Sequence, residues 1–130
     1  MSLVTANLIV AAALAGLIWT IQLVHYPLFA LVGAESFPRY EAEHQRRITR
    51  VVAPLMLANA GLGIAVFAAD ASLLSAINGG LALGVFAATG LVYSRMHVML
   101  DPSGVARLVR ANWARTATWS AQVVVALALL

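Results

Sequence analysis

The chain lacks cysteine and lysine, and it carries few charged side chains of either sign. Without cysteine it can form neither disulfides nor thiolate metal sites. Charged residues account for 10% of its 130 residues, whereas an average soluble domain carries about 25%, so the chain cannot build a water-facing surface. The net charge of +3 is too sparse, and too interrupted by apolar segments, for a nucleic-acid partner.

Hydrophobic residues make up 62% of the chain and are concentrated in four segments. These segments cover residues 3–24, 51–69, 71–94 and 116–130. A membrane-spanning helix needs about 20 apolar residues at a rise of ~1.5 Å each, and the first three segments reach or approach that length. None has the charged stripe of a soluble amphipathic helix. Residues 1–24 lack the positive region of a signal peptide, so we interpret them as a retained first helix.

The sequence therefore predicts an all-α integral membrane protein, with one transmembrane domain over residues 1–130 folded as an up-down-up-down four-helix bundle. The helices are expected at about 3–33, 38–69, 72–100 and 102–130. Ser36 followed by Pro38 favours a helix start, Asp70 lies at a tight reversal, and Asp101 is the expected N-cap of the fourth helix. The helices are expected to protrude on the side of the charged connections.

The arginines are distributed asymmetrically along the chain. All eight basic residues are arginines, and they lie in or beside the first and third connections. The other side carries only Asp70. The positive-inside rule then predicts that both charged connections are cytoplasmic and that both termini lie outside, in a multi-pass protein of the plasma membrane. Anionic membrane lipid is an expected partner of the arginine-rich face.

Counting along the helices brings polar groups to one level near the inner interface. His25, Arg50, Tyr93 and Arg115 fall there, with His44 and His97 about two turns further out. Polar side chains in lipid are costly and face the bundle interior, so we expect a polar and aromatic pocket at the cytoplasmic end. The stripes predicted to line it are Trp19, Gln22 and His25 or Tyr26 on the first helix, Tyr40 and His44 on the second, Tyr93 and His97 on the third, and Asn112, Arg115 and Trp119 on the fourth.

Other interpretations of the same residues stay open. Arg115 could snorkel toward the cytoplasm, and Trp19 and Trp119 could serve as packing or interfacial residues. His25, His44 and His97, completed by Glu41, could hold a divalent metal, although no HExxH-type spacing is present. The outer half of the bundle, with Asn59, Asn78 and scattered hydroxyls, is expected to be nearly dry.

Two stretches carry a resemblance to known proteins. The first runs from Trp19 to Phe29 (WTIQLVHYPLF) and continues with Phe37, Tyr40, His44, Ile48 and Pro54; the second comprises residues 97–100, 108–109 and 112–116. Together they resemble a family of small uncharacterised bacterial four-helix membrane proteins. More distantly, they are similar to anthrone oxygenase-like membrane proteins, which share a proline near the end of helix one and an asparagine–arginine pair opening helix four.

The resemblance implies a bacterial inner membrane and oxygenation of a phenolic or quinol-like ring without metal or flavin, so no cofactor is expected. The chain departs from the anthrone oxygenase pattern at Met96-His97-Val98, where that pattern tends to have an asparagine–proline-rich stretch.

Two functional hypotheses follow. In the first, the chain is an enzyme for an apolar aromatic substrate, with His25 or His97 as general base and Arg115 and Asn112 stabilising a phenolate. The residues expected to contact the substrate are Trp19, Gln22, Tyr26, Tyr40, His44, Tyr93 and Trp119. In the second, the chain is a non-catalytic scaffold or a lipid- or small-molecule-binding subunit. A homo-oligomer would suit its glycine-rich helix faces, where Gly80 and Gly84 have small-xxx-small spacing.

Overall fold

The computed structural model describes residues 1–130 as four long helices with no strand. The helices are α1 (Leu3–Leu31), α2 (Phe37–Ala69), α3 (Leu73–Val98) and α4 (Val105–Ala128). Consecutive helices run antiparallel, so both arginine-rich connections lie at one end of the bundle. The prediction of an all-α four-helix bundle is confirmed.

The first three helices are long and apolar enough to cross a membrane. α4 has 24 residues, which is long enough, but its mean hydropathy is lower because it carries three arginines together with Asn112 and Gln122. Asn112, Arg115 and Gln122 are all buried. These three polar side chains thus face the other three helices, and some apolar residues of the helix, such as Val124 and Leu127, are exposed on the outside.

Two helix ends differ from the predicted ends for a local reason. α1 stops at Leu31 because Val32 adopts an extended backbone conformation after a last 3₁₀ turn. α4 starts at Val105 because Pro102–Gly104 form a separate 3₁₀ turn. Asp101, the predicted N-cap of the fourth helix, caps this 3₁₀ turn instead: its carboxylate accepts from the Gly104 amide at 2.8 Å and from the Ser103 hydroxyl at 2.7 Å. The Ser103 hydrogen bond, followed by the Gly104 one, holds the pKa of Asp101 below its usual value.

Two π-helical turns interrupt the regular helices at the arginine-rich half of the bundle. One covers Ile21–His25 in α1 and the other covers Thr89–Tyr93 in α3. A π turn holds one residue more than an α turn and therefore rotates everything after it around the helix axis. Such turns are frequent at functional sites. Here they precede Tyr26 and His97, both of which point into the bundle.

The closest approach of two helices lies at the other end. A Cβ placed on Gly63 of α2 would lie 3.3 Å from the Gly79 Cα of α3 and 3.2 Å from the Ala82 Cβ. By contrast, a Cβ on Gly80 or Gly84 would meet no atom within 4 Å. Within one chain, the small-residue contact is therefore made by Gly63 and Gly79 rather than by the Gly80 and Gly84 pair.

Replacing Gly63 by leucine is expected to destabilise the bundle by about 1–3 kcal/mol, because overpacking forces α2 and α3 apart. Gly61→Leu is the matched control, since a Cβ on Gly61 meets nothing within 4 Å. Unfolding in mixed detergent micelles measures both variants. Equal stability of the two variants would contradict the close contact.

A ring of four amides joins all four helices near this end. Asn7 donates to Asn59 at 3.2 Å, Asn78 donates to Asn7 at 2.9 Å, and Asn59 and Gln122 exchange hydrogen bonds at 2.9 Å in both directions. All four side chains are buried. The expectation of a nearly dry outer half is thus wrong in one respect: this half encloses a self-satisfied polar network. Each amide nitrogen and oxygen of the network has a partner within it, and we interpret it as a structural tie.

Candidate functional site

The candidate site lies at the arginine-rich end and begins with a hydrogen-bonded chain of three side chains. The Tyr26 hydroxyl lies 2.8 Å from His97 Nε2, and His97 Nδ1 lies 2.6 Å from Glu41 Oε1. An ionised carboxylate only accepts hydrogen bonds, so His97 Nδ1 carries the proton and Nε2 has a free lone pair. Tyr26 therefore donates to His97. This orientation makes His97, backed by Glu41, a proton acceptor for Tyr26.

A hydrogen-bonded pair of histidines lies beside these three side chains. His25 Nε2 lies 2.8 Å from His44 Nδ1. The His44 ring is 5.6 Å from the His97 ring, centroid to centroid, and no direct hydrogen bond joins them. Phe29, which is fully buried, contacts His25, Tyr26 and His44 edge to face and holds these rings in place. The aromatic cluster therefore gives the histidines fixed positions.

Arg115 provides a buried positive charge without a negative partner. Its residue is 6% exposed, and no carboxylate lies within salt-bridge distance of it. Its guanidinium carbon lies 4.7 Å from the centre of the Tyr93 ring and 5.5 Å from that of Trp119. Its Nε has no hydrogen-bond partner. Since a buried unpaired charge is costly, an anion or an electron-rich oxygen beside this guanidinium would offset its desolvation.

A cavity of about 340 Å³ joins Arg115 to the tyrosine–histidine chain. Its inner wall carries Tyr26, Tyr93, His97 and Arg115, while most of its remaining lining comes from facing residues of α2 and α3. Leu57, Phe86 and Gly90 at its mouth are exposed on the side of the bundle. The cavity is therefore polar at its inner end, mainly apolar at its mouth, where Thr49 and Ser94 are also exposed, and open sideways, where lipid would lie.

A second cavity of about 620 Å³ lies on the other side of His44. His25, His44 and Tyr40 form part of its wall. The rest includes the charged side chains Arg39, Glu43 and Arg47. Glu43 binds Arg46 at 2.6 Å and Arg47 at 2.5 Å. Because charged and exposed side chains surround it, this cavity faces water rather than lipid.

The structure brings some of the predicted site residues together and places others elsewhere. Tyr26, Tyr93, His97 and Arg115 line the first cavity, His25, Tyr40 and His44 line the second, and Trp119 supports Arg115 from inside the bundle. Arg50, expected at the same level, is exposed on the outside and lines neither cavity.

Three other predicted site residues make different contacts. Trp19 is 41% exposed, packs edge to face on Trp113 and donates to Ser120, so it lies on the outer face of the bundle. Gln22 accepts from Asn112 at 2.8 Å and donates to the Val109 carbonyl at 3.1 Å. Gln22 and Asn112 thus tie α1 to α4 next to Arg115 and do not line either cavity.

The residues of the metal alternative are neighbours, but as two hydrogen-bonded pairs, His25 with His44 and His97 with Glu41. No group of three or more such side chains has its donor atoms placed to hold a metal ion. The side chains at the site can transfer a proton next to a fixed positive charge.

Sequence reasoning missed two contributors. The sequence suggests Glu41 as a metal ligand or as part of a solvated ion-pair mesh, whereas it orients His97 across 56 positions of sequence. Gln45 donates to the same Glu41 oxygen at 3.2 Å and lines the first cavity. The positions 41, 44 and 45 share one face of a helix, and this polar face within a buried helix was the available signal.

No family model, curated protein or solved structure matches this chain. The functional argument therefore rests on the site itself.

Proposed function

We propose that this chain is a multi-pass inner-membrane protein of a bacterium that oxygenates an apolar ring bearing a phenolic or quinol-like hydroxyl, without a cofactor. The observation that carries the proposal is the buried guanidinium of Arg115, which has no carboxylate partner, in a cavity that Tyr26 and His97 also line, with Glu41 behind His97. A phenolate would complement this guanidinium, and the chain would accept the proton that the phenol loses.

The orientation in the membrane supports the placement of the site. All eight arginines lie in the half of the bundle that contains the site, and the opposite end carries only Asp70. We infer that this half is cytoplasmic and that both termini lie outside. The cavity mouth between α2 and α3 would then open to the cytoplasmic leaflet, from which an apolar ring would diffuse in. The exposed arginines would contact anionic lipid there.

The proposed chemistry balances without a further reactant. In the keto tautomer of such a phenol, a ring CH₂ that is conjugated through the ring to the carbonyl loses a proton toward Tyr26 and His97, and Arg115 stabilises the resulting phenolate. Dioxygen then reacts with the electron-rich ring carbon. One oxygen atom ends in the new ring carbonyl and the other leaves as water with the two hydrogens, which is a four-electron oxidation of the carbon by one O₂.

Anthrone in proteoliposomes tests the proposal. We expect the protein to accelerate its conversion to anthraquinone, with uptake of one O₂ per ring, and we expect His97→Gln to lower this rate about 10²–10⁴-fold by removing the base. His97→Gln keeps a polar side chain beside Glu41. Arg95→Gln, at an exposed position of α3, is the matched control and should retain the rate. If the unmodified protein does not accelerate the conversion, the oxygenase proposal is contradicted.

The second candidate function is a non-catalytic subunit that binds an apolar small molecule or lipid. The lateral opening and apolar mouth of the first cavity favour it equally well. This candidate function predicts that an aromatic phenol quenches Trp119 fluorescence when it binds, and that the phenol is recovered unchanged in the presence of O₂. The anthrone experiment thus separates the two candidates, because only the enzyme changes the ring.

A further inference from the structure

We infer that His44 and His25 form the proton route between the Tyr26–His97–Glu41 chain and the aqueous side, through the second cavity. The inference rests on the proposed function for its purpose, since a base that accepts a substrate proton must be able to release it. Three observations carry it: the position of each cavity, the hydrogen bond between the two histidines, and two buried polar atoms without partners.

The first cavity is a poor exit for a proton. It opens sideways between α2 and α3, mainly past Leu57 and Phe86 with Thr49 and Ser94 also exposed, where lipid would lie. A proton accepted by His97 would have to leave as a charge through an apolar mouth, which is costly. The second cavity, by contrast, is surrounded by Arg39, Glu43 and Arg47. Water and ions reach it, so it is the favourable side for proton exchange.

His44 lies close to both the His25 ring and the His97 ring. Its Nδ1 is hydrogen-bonded to His25 at 2.8 Å, and both histidines line the second cavity. Its other nitrogen, Nε2, is buried and has no hydrogen-bond partner within the protein. A buried imidazole nitrogen without a partner is costly as a purely structural feature. An imidazole that is bonded to His25 through one nitrogen, with its other nitrogen free and the His97 ring 5.6 Å away, is however a suitable group for passing a proton.

Glu41 supplies the matching group on the other side. Its Oε1 holds His97 and Gln45, while its Oε2 is also buried and unpartnered. Glu41 and His44 are three positions apart on α2 and thus share a face. We infer that a bridging water, or a rotation of the Glu41 side chain, connects Oε2 to His44 Nε2.

The steps balance as proton transfers alone. His97 Nε2 takes the Tyr26 proton while its Nδ1–H passes to Glu41. Glu41 passes this proton to His44 Nε2, the His44 Nδ1–H moves to His25 Nε2, and His25 releases a proton to the second cavity. The ionisable groups that face His44 are His25 and Tyr26 from α1, Tyr40 and Glu41 from α2, and His97 from α3.

The test follows the His97 imidazole proton without any substrate. The chain contains three histidines, so nitrogen NMR of histidine-labelled protein in nanodiscs resolves each ring after single replacements. We expect His44→Ala to slow water exchange of the His97 Nδ1–H at least tenfold. Added imidazole, which fits the space left by the side chain, should restore the exchange rate. A merely structural role of His44 predicts no such rescue.

Thr49→Leu, at the exposed mouth of the first cavity, is the control and should leave the exchange rate unchanged. Slowing by Thr49→Leu with no effect of His44→Ala would place the route in the first cavity and overturn the inference. If His44→Ala fails to fold, His44→Gln decides instead, because a carboxamide keeps a hydrogen bond but does not relay protons. The exchange rates are independent of anthrone turnover, so failure of the oxygenase proposal and failure of the route are seen separately.

Discussion

Replacing Arg115 by methionine is expected to raise the thermal stability of the ligand-free protein and at the same time to weaken phenol binding about 100-fold. The two effects have one cause. The guanidinium is buried without a carboxylate, so its desolvation is not offset, and the contacts with the Tyr93 and Trp119 rings return only ~2 kcal/mol. An apolar side chain of similar length avoids the cost, and we expect a gain of about 1–3 kcal/mol.

Binding is measured by quenching of Trp119 fluorescence with a naphthol, in protein whose Trp19 and Trp113 are replaced by phenylalanine. Loss of the guanidinium removes the hydrogen bonds to the buried oxyanion, which are worth about 2–5 kcal/mol in comparable charged pairs. Arg110→Met, at an exposed position of the same helix, is the matched control and should change neither quantity by much. Lower stability of Arg115→Met, with unchanged affinity, would mean that Arg115 is structural.

Replacing Asn59 by leucine is expected to destabilise the bundle by about 2–4 kcal/mol, the largest single stability loss that the fold predicts. Asn59 takes part in hydrogen bonds with Asn7 and Gln122. Its removal leaves both partners buried and incompletely paired, far from water. The loss is measured by unfolding in mixed micelles. Thr118→Val is the control, because the Thr118 hydroxyl binds only the Ala114 carbonyl of its own helix, at 2.8 Å.

A double-mutant cycle sharpens this prediction. Asn59→Leu and Gln122→Leu together should cost less than the sum of the two single changes, because the second change removes a group that the first left unpaired. Strict additivity would show that the two amides do not depend on each other and that the ring is not a unit. Because the ring lies at the end opposite Arg115, neither variant should change the affinity for a naphthol.

The candidate site was predictable in outline. The depth count placed Tyr93, His97 and Arg115 at the same end, and they line one cavity. Helical spacing wrongly put Trp19 on the pocket-lining stripe of α1. A π turn follows Trp19, so the regular 3.6-residue period does not describe which residues continue its stripe. The sequence also could not show whether Gln22 and Asn112 bind each other or bind a substrate, since both roles require a buried amide.

By itself, the sequence determined the helical bundle, the three membrane-spanning lengths and the clustering of the arginines at one end. These properties follow from composition and from the order of apolar and charged segments, because solvation by lipid or water acts on each segment separately. Only the tertiary structure decided that Glu41 orients His97, that Arg115 has no carboxylate partner, and that His44 joins His25 at the second cavity while lying beside the His97 ring. Those relations join side chains from different helices at distances of a few ångströms, and they depend on helix rotation and packing, which local sequence patterns do not specify.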